Sequence, residues 1–545
     1  MSTDLAADVP ATRPRAFRWS AAAVILGLAI AAQVVFLIRF ADDPTFSKMS
    51  VLWVWPAALF ALTLWWIFGS GLTWTTRFTG LAAVAAAAIV FFAVYRVDGV
   101  DGDMVPRLAY RWEPERAELA REFWKSRAKA APAESPTTAA ETTAATAEPL
   151  IAGPDDWADF RGPQRDGIVR GSGFRTNWTE KPPQELWRHP VGLGWSSFSV
   201  LGDYAITMEQ RDEQESIVCY RLTTGEQLWV HEDAARFRTV EVNGGDGPHA
   251  TPVIAGDQTF SLGGTGILNC LETRTGKKLW SRDILSDAGK DGTPVKNLEW
   301  GVSGSPLVID DYVITLPGEG DGRSVIAYRR SSGEIAWTSG TFPAGYGGPR
   351  MEEIGGVRQL LAFHGHGIAG LALDTGRLLW NFPMQNMPKV NSAQPVKLDD
   401  SSLLVGTGYG VGSVRLKLTA AEDQWKPQEV WKTNRLKLKF NDVVLVDDCV
   451  YGLDDGVLTC IETATGKTKW KARGFGYGQL LAFLKTLLVV TEEGDVVLVA
   501  ADPAGFEELG RIHAVDGTTW NHPAVAQGKL LVRNGTAAVC YDVAP

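Results

Sequence analysis

One phrase returns along this chain and limits what it can fold into. Its clearest copy is LETRTGKKLW, Leu271–Trp280; LTTGEQLW ends at Trp229, LALDTGRLLW at Trp380, IETATGKTKW at Trp470, and a looser YRRSSGEIAW at Trp337. In each copy an alternating apolar run enters, Thr-Gly or Ser-Gly turns the chain, and a second alternating run leaves through a Trp. Alternation is the period of a half-buried strand. Gly supplies the positive φ that a tight turn needs. Each indole offers roughly 150–250 Å² for burial. The Trp residues fall at 187, 229, 280, 337, 380, 431 and 470, and a further unit without Trp begins near Leu509. Repetition at such a period marks a repeat fold.

Each unit reads as four short strands. In the last they are Leu509–Val515, Pro523–Ala526, Leu530–Arg533 and Ala537–Asp542, with the Trp-type strand taken as innermost. Four-stranded units of this size stacked in series predict an all-β, eight-bladed β-propeller over residues 154–545. The pattern leaves open how the ring closes.

Three charge-free stretches precede it: Trp19–Ile38, Val51–Gly69 and Phe78–Tyr95. Each is close to the ~20 residues that a bilayer-spanning helix needs. Arg13, Arg15 and Arg18 lie before the first, which predicts a cytoplasmic tail over 1–18, an odd number of crossings from a membrane domain over 19–98, and a multi-pass anchor in the inner (cytoplasmic) membrane with the propeller on the periplasmic side. Residues 99–153 read as a juxtamembrane stretch, with a helix near Glu115–Lys129, and an Ala/Thr/Pro-rich spacer, Ala130–Pro149. The net charge is −10 and no dense Lys/Arg run occurs, so the composition argues against a nucleic-acid partner.

The candidate site comes from aligning the units on Phe198, Pro252, Pro306, Pro349, Pro395, Val443, Leu480 and Pro523. Three places earlier stand Trp195, His249, Ser303, Tyr346, Ser392, Phe440, Tyr477 and Trp520, with Trp300 and Asn391 beside the two Ser positions. A propeller gathers such loops around one mouth of its channel. Trp195, His249, Trp300, Tyr346, Asn391, Phe440, Tyr477 and Trp520 are therefore the candidate ligand-binding residues, suited to stack on a planar ligand, a sugar or a partner's aromatic anchor. The competing reading makes them wedges between blades. Cys219, Cys270, Cys460 and Cys540 share one repeat-equivalent place and read as packing. A Cys449–Cys460 bridge is left open. His364 and His366 could share a metal but lack a third ligand. Arg350, Arg415, Arg435, Lys437 and Lys439 could make one rim basic, but scattered surface charge is the default reading.

The pattern A-x-D/E-x-x-T-G-x-x-x-W resembles the blade repeat of pyrroloquinoline-quinone (PQQ) propellers, a superfamily of quinoprotein dehydrogenases and BamB-like propellers. The layout of helices, spacer and an opening DFRGPQRDGIV (Asp159–Val169) resembles membrane-anchored PQQ-like propellers of the planctomycete type. The resemblance implies the propeller fold and leaves, besides a degenerate former enzyme that binds a small ligand without turnover, two functions. One is a scaffold that binds an unidentified protein or envelope ligand, with no cofactor and no catalysis. The other is a PQQ- and Ca²⁺-dependent oxidoreductase of alcohols or sugars. The dehydrogenases' adjacent cysteines have no counterpart here, and no carboxylate can be matched to their metal site. The scaffold is the preferred expectation.

Overall fold

The computed structural model describes residues 19–40, 44–130, 148–239, 245–289, 295, 299–319, 321–421 and 424–545. The expected tail over 1–18, and the spacer over 131–147, lie outside them. The chain forms two compact units. One is Met1–Asp98 with Asp103–Glu113; the other is Gly99–Gly102 with Pro114–Pro545.

The first unit contains three helices long and apolar enough to cross a membrane: Trp19–Arg39, Ser47–Gly69 and Trp74–Val94. The second span closes with a π turn over Trp65–Gly69. The third begins four residues earlier than Phe78, because Thr73 caps it by accepting from the Thr76 amide.

The second unit is an eight-bladed β-propeller, every blade an antiparallel sheet of four strands. In order the first strands are Ser199–Leu201, Val253–Ala255, Leu307–Ile309, Arg350–Ile354, Val396–Asp399, Val444–Val446, Gln479–Phe483 and Ala524–Ala526. These adjoin one another around the axis, so they are the innermost strands. The Trp strands are the outermost, which reverses the assignment made from the sequence. Burial gives the reason. Thr486–Val490 is buried throughout, whereas Lys278–Asp283 has no buried residue and carries Lys278, Arg282 and Asp283. The helix at Arg116–Ala130 forms nearly where expected.

The ring closes through its first strand. Gln184–Pro190 pairs antiparallel with Ala537–Asp542, placing Trp187 opposite Cys540 and completing blade eight from both ends of the propeller sequence. The same pairing recurs: Cys219 faces Trp229, Cys270 faces Trp280 and Cys460 faces Trp470, each followed by a bulge. All five thiols are free and buried. Cys449 pairs with Glu462 while Cys460 pairs with Tyr451, so the bridge left open is not formed.

The repeated phrase is a clasp between blades. The Trp of one blade lies against the turn glycine of the next, as Trp187 on Gly225, Trp229 on Gly276, Trp280 on Gly333 and Trp431 on Gly466. Its Nε1 donates to a carbonyl just before that turn, Leu222 for Trp187 and Thr273 for Trp229. Blade five has no Thr-Gly turn; a hairpin of Gly412–Ala421 and Gln424–Thr433 stands there. Trp380 of blade four consequently turns back and donates to Gln359 of its own blade.

Candidate functional site at the propeller mouth

Each candidate residue sits on a loop running from the outermost strand of one blade to the innermost strand of the next. Four come together. Trp195 and Trp520 lie 4.7 Å apart, Trp520 and Phe440 5.2 Å, and Phe440 and Tyr477 5.6 Å between ring centroids. Trp300 and Tyr346 form a separate edge-to-face pair at 5.4 Å. Asn391 is buried in the wall, donating to the carbonyls of His364 and Met384 at 2.8 Å. His249 is half-buried and meets Ser303 Oγ at 3.2 Å. Burial pushes its imidazole down to about 4.

Under the aromatic cluster the chain itself enters the channel, leaving a cavity of about 690 Å³ between Asp159, Arg165 and Asp166 and the inner strands that carry Leu307, Arg350 and Val396. Residues Asp159–Val169 form a plug that enters from the opposite face, where Ile168 bridges Ala482 in parallel and Trp157 bridges Val200. Arg161 and Arg165 take positive φ of 59° and 55°, turning the segment tightly enough to fit the channel. Arg165 is held by both oxygens of Asp159 at about 3 Å and donates to the Pro349 carbonyl at 2.7 Å. Arg161, fully buried, donates to the Val443 carbonyl at 2.6 Å and lies 3.5 Å from Asp442. Asp442 also meets His522 Nε2 at 3.1 Å. Burial works to raise the Asp442 carboxyl, but Arg161 and His522 outweigh it and bring it to about 2. The Phe160 ring stands edge-on to His522 at 4.8 Å. The sequence reading gave this plug no role; its paired Arg and Asp look like a solvated loop until the channel is in view.

Beside the cluster lies a polar pair that the alignment also missed. Glu492, on the turn between the second and third strands of blade seven, accepts from Trp520 Nε1 at 2.9 Å and from the Tyr477 amide at 3.2 Å. The Lys439 ammonium sits 4.9 Å over the Tyr477 ring and 5.3 Å over Tyr409. Burial pushes the Glu492 carboxyl up while its hydrogen bonds pull it back. Both residues are buried, and so are Arg350 and Lys437. Arg350 is paired with Glu352, and Lys437 with Asp454 and Asp455, so these are not the scattered surface charges expected. His364 is buried and stacked on Phe342 at 4.2 Å, whereas His366 is exposed.

PQQ with Ca²⁺ is the group the fold family implies. Among the described residues no group of three or more His, Cys, Asp or Glu could hold a metal. The hub carboxylate Asp442 is already engaged by Arg161, His522 and the Gln394 amide. The described residues do not fit the group.

Fold and hub together define a PQQ-like β-propeller with a segment of its own chain in the channel. The chain belongs to the family described as outer membrane protein assembly factor BamB, whose model matches residues 175–339 and 213–472, together more than half of the sequence. BamB of Burkholderia pseudomallei (strain K96243) is 25% identical over 337 residues, 55% of this chain and 85% of the relative. Among solved structures, BamB from Moraxella catarrhalis aligns with a TM-score of 0.47 at 13% identity, covering 66% of this chain and 97% of that one. Quinohemoprotein alcohol dehydrogenase from Comamonas testosteroni aligns with a TM-score of 0.53 at 12% identity, covering 72% and 81%. At such identities the structural likeness concerns the fold alone.

These names overturn the expected location. The family and its curated relative are named for the outer membrane, not for a cytoplasmic-membrane anchor with a periplasmic propeller. Helix length and apolarity measure fitness to cross a bilayer and do not identify which bilayer.

Proposed function

We propose that this chain is a binding scaffold, tethered to a membrane by its apolar helices, that holds a segment of a partner polypeptide at the propeller mouth. The observation that carries this reading is the continuous cluster of Trp195, Trp520, Phe440 and Tyr477 over a hub packed with the chain's own Arg161, Arg165 and Asp442. Clustered Trp and Tyr are the side chains that anchor protein interfaces. The family description, an assembly factor for outer membrane proteins, supports a polypeptide over a small molecule. The test compares partner capture by cross-linking in native membranes between the full chain and its Trp195→Ala and Trp520→Ala variants. Loss of the cross-linked band at unchanged melting temperature is expected, and equal capture overturns the reading. The oxidoreductase alternative is checked on the same protein: a quinone absorption band after adding PQQ and Ca²⁺, with dye-linked alcohol or sugar oxidation, would replace the scaffold.

A further inference from the structure

Residues Gly99–Gly102 are part of the propeller unit, and Gly102 meets Glu492, Lys439 and Tyr477 beside the aromatic cluster. Glu492 Oε1 accepts from the Gly102 amide at 2.6 Å, and Lys439 Nζ donates to the Gly102 carbonyl. One carboxylate and one ammonium thus read the two backbone groups of a single residue. Both readers are buried, as is Val100. A Cβ on Gly102 would run into the ring of Tyr477. That ring cannot step aside, being buried between Phe440 and the Lys439 ammonium. The place is therefore shaped for glycine. Glu492 is tied to the aromatic cluster through Trp520 Nε1 and the Tyr477 amide, so the backbone-reading pair and the stacked rings are one site. A buried carboxylate and ammonium left without the glycine would each lose a charge-assisted hydrogen bond, a costly state.

The geometry points to a mouth that takes a glycine-bearing turn of a polypeptide, read through its backbone by Glu492 and Lys439, with Gly99–Gly102 as the internal occupant that a partner's turn displaces. It rests on the reading that the mouth holds a polypeptide and names what that polypeptide presents. Backbone reading with a demand for glycine selects a shape of chain and leaves the flanking side chains free to vary, which suits a scaffold that meets many clients of one type.

The test uses the full chain in detergent and a fluorescent synthetic peptide with the sequence of residues 97–104, VDGVDGDM, followed by anisotropy. Gly102→Val should expel the internal segment, and the variant should bind the peptide at least about tenfold more tightly than the unmodified protein. Adding Glu492→Gln, which removes the charge and leaves one acceptor oxygen for the three donors that the carboxylate serves, should reverse that gain. A peptide whose second glycine is valine should not bind. Equal affinity of Gly102→Val and unmodified protein overturns the proposal, as does binding indifferent to Glu492 or to the peptide's glycine. Should Gly102→Val fold poorly, Gly102→Ala gives an independent arm: it too should bind the peptide more tightly than the unmodified protein, and adding Lys439→Ala should reverse that gain. If the peptide results fail while Trp520→Ala still abolishes partner capture, the glycine-turn proposal falls and the scaffold reading stands. If both fail, the mouth is not the binding surface.

Discussion

Gly225 of blade one holds φ at +68°, and a Cβ placed on it would stand 2.7 Å from the Trp187 ring of blade eight. The glycine is required twice, by the turn and by the neighbour's indole. Gly225→Ala should therefore cost about 1–3 kcal/mol of unfolding free energy. Gly202, at φ +56° with open space where its Cβ would go, should lose only about 1 kcal/mol on the same change. Denaturant melts of the two variants side by side check the difference, which measures the clasp apart from the backbone.

The hub carries a buried ion pair, Arg161 with Asp442. Removing one partner leaves the other charge buried alone, so Asp442→Asn should destabilise the propeller by about 3–5 kcal/mol. Replacing both, as Arg161→Met with Asp442→Asn, should cost less than the sum of the single changes. Additive costs in a double-mutant cycle would show that the pair is not coupled.

Acid should weaken the fold in two steps. His249 and His364 are each held down to about 4 by burial. At these two sites the unfolded state binds more protons than the folded one between pH 6.5 and 4. Their contribution to stability therefore falls as pH drops through that window, by no more than about 3 kcal/mol per histidine, against the opposite contribution of Asp455, which burial raises to about 7. Asp442, brought to about 2, contributes stability that is whole above the ordinary Asp range and is lost as pH falls toward 2. Melting temperature followed from pH 7 to pH 2 checks this, and His249→Gln should flatten the upper part of the curve.

All five thiols are buried and free, and burial pushes Cys270, Cys460 and Cys540 up to about 12. None should react with a thiol reagent in the native protein, and all five should react in denaturant. Rapid labelling of any one thiol in the folded state would contradict the packing described.

Much of this fold could be read from the sequence, and the gaps have physical causes. Turn glycines and alternating strands gave the blades and their number, because every blade needs the same turn and the same apolar period. The order from axis to rim was read backwards. Cyclic repetition gives the same string of strands whichever is called first, and only the exposure of a strand such as Lys278–Asp283 breaks the tie. Of the aligned mouth residues, Trp195, Phe440, Tyr477 and Trp520 do meet. Asn391 does not join them, because an amide can serve the wall as readily as the opening. The sequence does not single out Glu492, Lys439 reads there as surface charge and Asp159–Val169 stands out only by resemblance, because charged residues on loops look solvated until the channel closes around them.

Blade eight cannot be assembled in the order of synthesis. Its outermost strand, Gln184–Pro190, is among the first of the propeller to be made, and its partner, Ala537–Asp542, is the last. A growing polypeptide must hold that early strand, Trp187 included, without a mate through the making of seven blades. Such a distant join is slow to find, and an open arc meanwhile shows a sticky sheet edge at each end. Locking of the wheel is thus a single late event, and loss of a few C-terminal residues would spring the seam while leaving most blades formed.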